Sequence, residues 1–133
     1  MYTYAAKLIE VVDGDTVDLL IDLGFGVHVK ERCRLYGIDA PEMPTEAGRN
    51  AKSRLESLIG AATGELFVAT RKMTRKPKEK TDKYGRYLAV LYDGSHTADM
   101  FIHGDQTESS IAMMQASINW AMVFSGHAKE RYW

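Results

Sequence analysis

Residues 4–12 (Tyr-Ala-Ala-Lys-Leu-Ile-Glu-Val-Val) form an apolar, partly β-branched run that predicts a first strand. Asp13-Gly14-Asp15 breaks it with turn chemistry: Gly14 permits a positive φ, and the Asp side chains bond back to nearby backbone. From Thr16 to Leu23 the chain alternates. Val17, Leu19, Ile21 and Leu23 fall on one face and Asp18 and Asp22 on the other, which is the pattern of a half-buried strand. Gly24-Phe25-Gly26 is a short loop, and Val27 to Tyr36 reads as the antiparallel return. Pro44-Thr45 opens a helix with Thr45 as N-cap and Glu46 in the first turn. Ala47, Ala51, Leu55, Leu58, Ile59 and Ala62 form its core-facing stripe, and Gly60 or Gly64 ends it.

Glu65 to Arg71 and Tyr87 to Tyr92 supply a fourth and a fifth strand. Between them, Lys72 to Lys83 lacks apolar periodicity and carries Pro77, so an exposed loop is expected. Beyond Asp93-Gly94 the pattern weakens. Thr97 to Ile102 reads as a further strand and Gly104 to Thr107 as a turn. Ile111, Met114, Ile118, Met122 and Phe124 read as a helix that breaks at Gly126, either continuous from Glu108 or starting afresh near Asn119. The chain is therefore mainly β with α (α+β). Five strands with a helix between the third and fourth match the partly open Greek-key barrel of the OB-fold, as a single domain over residues 1–133 with a further C-terminal helical segment.

The hairpin loop also carries a geometric expectation. With its turn centred on Phe25, antiparallel partners sum to about 50 in residue number, which sets Asp15 across from Leu35 and beside Arg34. The Asp39–Glu42 turn then emerges at the same rim of the sheet.

Composition narrows the class without fixing the chemistry. At 133 residues, 45% hydrophobic and 26% charged, the chain is of ordinary globular make-up. No apolar run is long enough to cross a bilayer, and no signal peptide opens the sequence, so a cytoplasmic location without membrane association is expected. One cysteine, Cys33, excludes an internal disulfide and reads as a small core hydrophobe. His96, His103 and His127 lack a metal-ligand spacing and His28 stands alone in a strand, so none is assigned a metal. Net charge is only −1, yet it is unevenly spread. Basic residues crowd between Arg71 and Arg86, whereas acids gather at Asp13, Asp15, Asp18 and Asp22. By itself the basic run reads as a solvated loop; beside an acidic pocket it suits a polyanion handled through a cation.

Arg34-Leu35-Tyr36-Gly37-Ile38-Asp39-Ala40-Pro41-Glu42 places a guanidinium, two carboxylates and a rigid proline within nine residues. Attack on a phosphodiester uses such groups: carboxylates for a hard cation, a planar fork for phosphate oxygens, a second acid for water. Together with Val12-Asp13-Gly14-Asp15-Thr16 and Thr81-Asp82-Lys83-Tyr84-Gly85-Arg86, in that order, this stretch resembles the staphylococcal nuclease family. The likeness covers about residues 5–92 and resumes from Asn119-Trp120-Ala121-Met122-Val123 through Gly126-His127-Ala128-Lys129.

That resemblance implies an OB-fold, Ca²⁺-dependent nuclease that hydrolyses DNA and/or RNA to 3′-phosphates. Asp15, Asp39 and the Ala40 carbonyl would be metal ligands; Arg34, Glu42 and Arg86 catalytic; Lys83, Tyr84 and Tyr132 substrate-binding; and Asp13 a holder of metal-bound water. The alternative is a non-catalytic nucleic-acid or protein-binding module of the same barrel. Alanine stands at position 40 where the family usually has threonine, the loop between Glu42 and the helix is short, and about twenty extra residues lie near Ser95 to Ser117. The family's C-terminal helix has no counterpart here, which leaves a homo-oligomer open as a way to cover the exposed face.

Overall fold

The computed structural model describes residues 2–61, 66–71, 87–93 and 117–131. Five strands close a barrel: β1 (Tyr2–Asp13), β2 (Thr16–Gly24), β3 (Val27–Leu35), β5 (Leu66–Arg71) and β6 (Tyr87–Asp93), in the order β1-β2-β3-β6-β5. All neighbours are antiparallel except β3 and β6. Helix α1 (Glu46–Gly60) packs against β1 and against α2 (Ile118–Phe124). A two-residue strand β4 (Ile38–Asp39) pairs with an equally short β7 (Lys129–Glu130). This is the OB-fold architecture, mainly β with two helices.

The β2–β3 hairpin has the register that its turn demands. Thr16 faces Arg34 and Val17 faces Cys33, while the Leu35 N–H donates to the Asp15 carbonyl at 2.7 Å. Gly24, Phe25 and Gly26 all adopt positive φ (84°, 56° and 75°), a tight turn that two glycines make accessible. The alternation expected along β2 fails at both ends. Leu23 is 43% exposed, because the register shifts between Asp22 and Gly24 and the hairpin tip runs past its neighbours. Asp18, expected on the solvent face, is buried: Arg32 lies over it in a bidentate pair, Nε to Oδ1 at 2.8 Å and Nη2 to Oδ2 at 3.1 Å. Burial of Cys33 matches its reading as core and pushes its thiol up to about 12.

Gly14 serves a different purpose from the one its turn chemistry implies. Among the described glycines, positive φ is found at Gly24, Gly26, Gly37 and Gly126 and not at Gly14. A Cβ at Gly14 would sit 2.7 Å from the Cβ atoms of both Ala40 and Ala51. The glycine thus lets α1 and the residue that follows β4 approach the β1–β2 turn closely.

Thr45 caps α1, its hydroxyl accepting from the Gly48 N–H at 3.0 Å. The buried stripe is Gly48, Ala51, Leu55 and Ile59; Ala47, expected inside, is exposed. The stripe starts at Gly48 because the helix there rests on the preceding turn, where a Cβ would meet the Glu42 carbonyl oxygen at 2.3 Å. Gly48→Ala, a change that in a free helix gains up to about 1 kcal/mol, is therefore expected to cost about 1–3 kcal/mol. A lowered urea midpoint with an unchanged m-value is the measurement that shows it.

Helix α2 starts at a Ser117 N-cap and stops before Gly126, which has a φ of 78°. Phe124, expected on its apolar face, is instead exposed, since it lies in the last turn and points away from the side that Ile118 and Met122 bury. Asn119, by contrast, is fully buried. Its Oδ1 accepts from Leu91 N–H at 3.0 Å, and its Nδ2 donates to the carbonyls of Ala89 at 3.0 Å and Tyr36 at 2.9 Å. Here the chain leaves β3 at Tyr36–Gly37, and the amide of Asn119 ties it to β6, taking the Leu91 N–H and sharing the Ala89 carbonyl with the Tyr36 N–H, which donates to it at 2.8 Å. Residues 62–65, 72–86, 94–116 and 132–133 lie outside the described residues, and with them the 72–83 loop, the 97–102 strand and the first part of the C-terminal helix expected from sequence.

Candidate active site

The β1–β2 turn, the end of β3 and the short β4 meet at one rim of the barrel. Asp15 leaves the turn and is buried there. Its Oδ2 accepts from the Ala40 backbone N–H at 2.8 Å and lies 3.2 Å from Nη2 of Arg34. Its Oδ1 accepts from the Thr16 hydroxyl at 3.2 Å. Arg34 is buried as well, with only 8% of its side chain exposed. The same Nη2 donates to Asp39 Oδ1 at 3.2 Å, while Nη1 donates to the carbonyls of Leu35 at 3.2 Å and Asp15 at 3.4 Å. A single guanidinium thus bridges two carboxylates that stand far apart in sequence.

Asp13 supports this arrangement from behind, its Oδ1 accepting the Asp15 N–H at 3.0 Å. The two acids are shifted in opposite directions. Burial, then the hydrogen-bonding carboxylate of Asp13, pushes Asp15 up to about 6, against the pull of Arg34 and the Ala40 N–H. Burial acts on Asp13 in the same direction, but the hydrogen bonds from Asp15 and Thr16, with the Arg34 charge, outweigh it and hold Asp13 below the usual carboxylate range. Asp15 is the acid of this pair that carries its charge at a cost, and a second cation beside it would relieve that cost.

Asp15, Arg34, Asp39 and Ala40 are brought together as the sequence led one to expect. Ala40 touches Asp15 through its N–H. Glu42 stands two residues further, on the exposed turn before α1, its carbonyl accepting from the Thr45 N–H at 3.2 Å and the Thr45 hydroxyl at 2.5 Å. Lys83, Tyr84, Arg86 and Tyr132 lie outside the described residues. Arg131 enters the site although the sequence reading singles out its neighbours Lys129 and Tyr132 and not Arg131 itself. It follows β7, its N–H donates to the Gly37 carbonyl at 2.8 Å, and its Nη1 reaches Asp39 Oδ2 at 3.4 Å.

The donors available for a cation are all oxygens: two carboxylates and the backbone carbonyl of Ala40. Such a set fits a hard divalent ion that keeps several waters, and does not fit zinc, which favours Cys and His. Among the described residues no group of three or more His, Cys, Asp or Glu side chains gathers as a ready-made metal centre.

An OB-fold barrel with an acid–arginine–acid cluster at the open rim of its β1–β2 turn is a recognisable class. The chain belongs to the staphylococcal nuclease homologue family, whose sequence profile matches residues 32–133. It is 29% identical over 126 residues to a protein named micrococcal nuclease from Shigella flexneri, covering 92% of this chain and 61% of that protein. It is 27% identical over 124 residues to protein ParB of Escherichia coli, covering 93% and 60%. A protein named uncharacterized endonuclease from Escherichia coli O157:H7 is 29% identical over 86 residues, covering 65% and 46%. The chain thus spans about three fifths of the length of the first two relatives. No helix among the described residues is long and apolar enough to cross a membrane.

Proposed function

We propose that the chain is a nuclease that hydrolyses phosphodiester bonds of DNA and/or RNA, leaving 3′-phosphates, with Ca²⁺ as its cation. The observation that carries this reading is the buried Arg34 guanidinium held at 3.2 Å from both Asp15 and Asp39. Asp15, Asp39 and the Ala40 carbonyl are the residues that would hold the ion. Once bound, it would supply Lewis-acid neutralisation of phosphate charge.

The remaining chemistry falls to this chain's own side chains. Arg34 trades its hydrogen bond to Asp39 for a non-bridging phosphate oxygen and meets the charge that grows there as the phosphorus becomes five-coordinate. Glu42, exposed beside that rim, accepts a proton from the attacking water. Arg86, by its place in the family motif, clamps the phosphate from the other side, and Lys83, Tyr84 and Tyr132 hold the bound nucleotide.

A cleavage assay of the purified chain on single-stranded DNA tests the reading. Products should accumulate with Ca²⁺ and stop with chelator. DNA binding without cleavage under Ca²⁺, Mg²⁺ and Mn²⁺ alike would make the chain a binding module of the same barrel.

A further inference from the structure

Asp39 lies between two arginines of opposite character. Arg34, on Oδ1, is buried; Arg131, on Oδ2, keeps 57% of its side chain exposed. An exposed pair at 3.4 Å between groups this open to water is screened by solvent, so it does little to hold the fold. Arg131 is nevertheless placed accurately, because its own N–H is bonded to Gly37 and the two preceding residues pair with β4. Lys129 faces Asp39 directly across that ladder. With Lys129 opposite Asp39 in the ladder and the Arg131 guanidinium on the same carboxylate, the two residues form a short basic edge along the side of Asp39.

We propose that this edge of β7, Arg131 foremost, binds the phosphate next to the one that Arg34 engages, and so extends the site along a polynucleotide strand. The proposal rests on the nuclease reading above for the position of the scissile phosphate. Both guanidinium groups contact one carboxylate, so their separation is bounded at under about 9 Å, a range that consecutive phosphates of an extended strand span. A weak, water-exposed ion pair is readily exchanged for a phosphate oxygen, and Arg131 makes that exchange without uncovering a buried charge. The ligand is therefore a single strand at least two phosphates long, recognised by charge and spacing and not by base.

Binding measured by fluorescence anisotropy, with chelator present to prevent cleavage, tests this. The probes are a labelled oligothymidylate of about a dozen nucleotides and a dinucleoside monophosphate with a single phosphodiester. Arg131→Ala should weaken oligonucleotide binding about tenfold at low salt and reduce the slope of log K against log salt by about 0.7, with a much smaller effect on the dinucleotide. Arg131→Lys should restore most of the slope, since it retains the charge. Equal weakening of both probes would show that Arg131 acts only by steadying Asp39, and an unchanged salt slope would show that it meets no phosphate; either result overturns the proposal. Loss of slope in a chain that cleaves nothing with any divalent ion would remove the nuclease reading and leave the basic edge standing. Cleavage with an unchanged slope would do the reverse.

Discussion

Arg34→Lys is expected to leave a folded barrel that has lost about a hundredfold or more in turnover, the usual cost of removing one preorganised charged donor. The structure explains why a charge-conserving change is so costly. Arg34 uses two nitrogens to serve four acceptors: the carboxylates of Asp15 and Asp39 and the carbonyls of Leu35 and Asp15. An ammonium is a point charge on a flexible stem, without the planar fork needed to span those acceptors and present a further edge to phosphate. Alanine removes more. It leaves Asp15 buried without its counter-charge, and loss of one partner from a buried pair costs about 3–5 kcal/mol. Single-turnover cleavage and urea unfolding, run on both variants, separate the two effects. Turnover of the lysine variant within a few-fold of the parent would remove Arg34 from the chemistry.

Asn119→Ala should destabilise the fold markedly. It withdraws hydrogen bonds from Leu91 N–H and from the carbonyls of Ala89 and Tyr36 at a point with no solvent exposure. The Ala89 carbonyl keeps the Tyr36 N–H at 2.8 Å, so the Leu91 N–H is the group that loses its partner. One buried polar group left unpaired costs about 1–3 kcal/mol, and the lost contacts of a fully buried side chain bring the expected total to about 2–4 kcal/mol. Chemical denaturation reads this directly. A loss below about 1 kcal/mol would show that the Leu91 N–H finds another partner.

Most of the barrel could be read from local pattern. The β2–β3 register followed from a turn whose glycines leave it little choice, and this placed Asp15 beside Arg34. The N-cap of α1 was equally local, needing only Thr45 and the first turn. What pattern could not supply was any pairing between residues distant in sequence. The β4–β7 ladder is two residues long on each side, too short to show periodicity, and its halves stand some ninety residues apart. Arg131 therefore carried no mark of its position beside Asp39. Asn119 belonged to a stretch that resembles the family, but its bonding depends on where β3 leaves β6, which is a matter of topology. Asp18 looked like a solvent-facing acid because alternation takes no account of a long neighbouring side chain lying over it. Gly14 was read for its backbone freedom, whereas packing against Ala40 and Ala51 is what it serves.

The β4–β7 clasp also bears on the order of synthesis. All five barrel strands have emerged by Asp93, yet the residue that braces Asp39 from outside and the amide that completes β6 arrive with the last fifteen described residues. A ribosome-bound chain would hold Asp15, Arg34 and Asp39 long before that brace exists. Domains fold as their elements emerge, so the barrel rim that carries the two acids and Arg34 takes shape before the segment that closes over it.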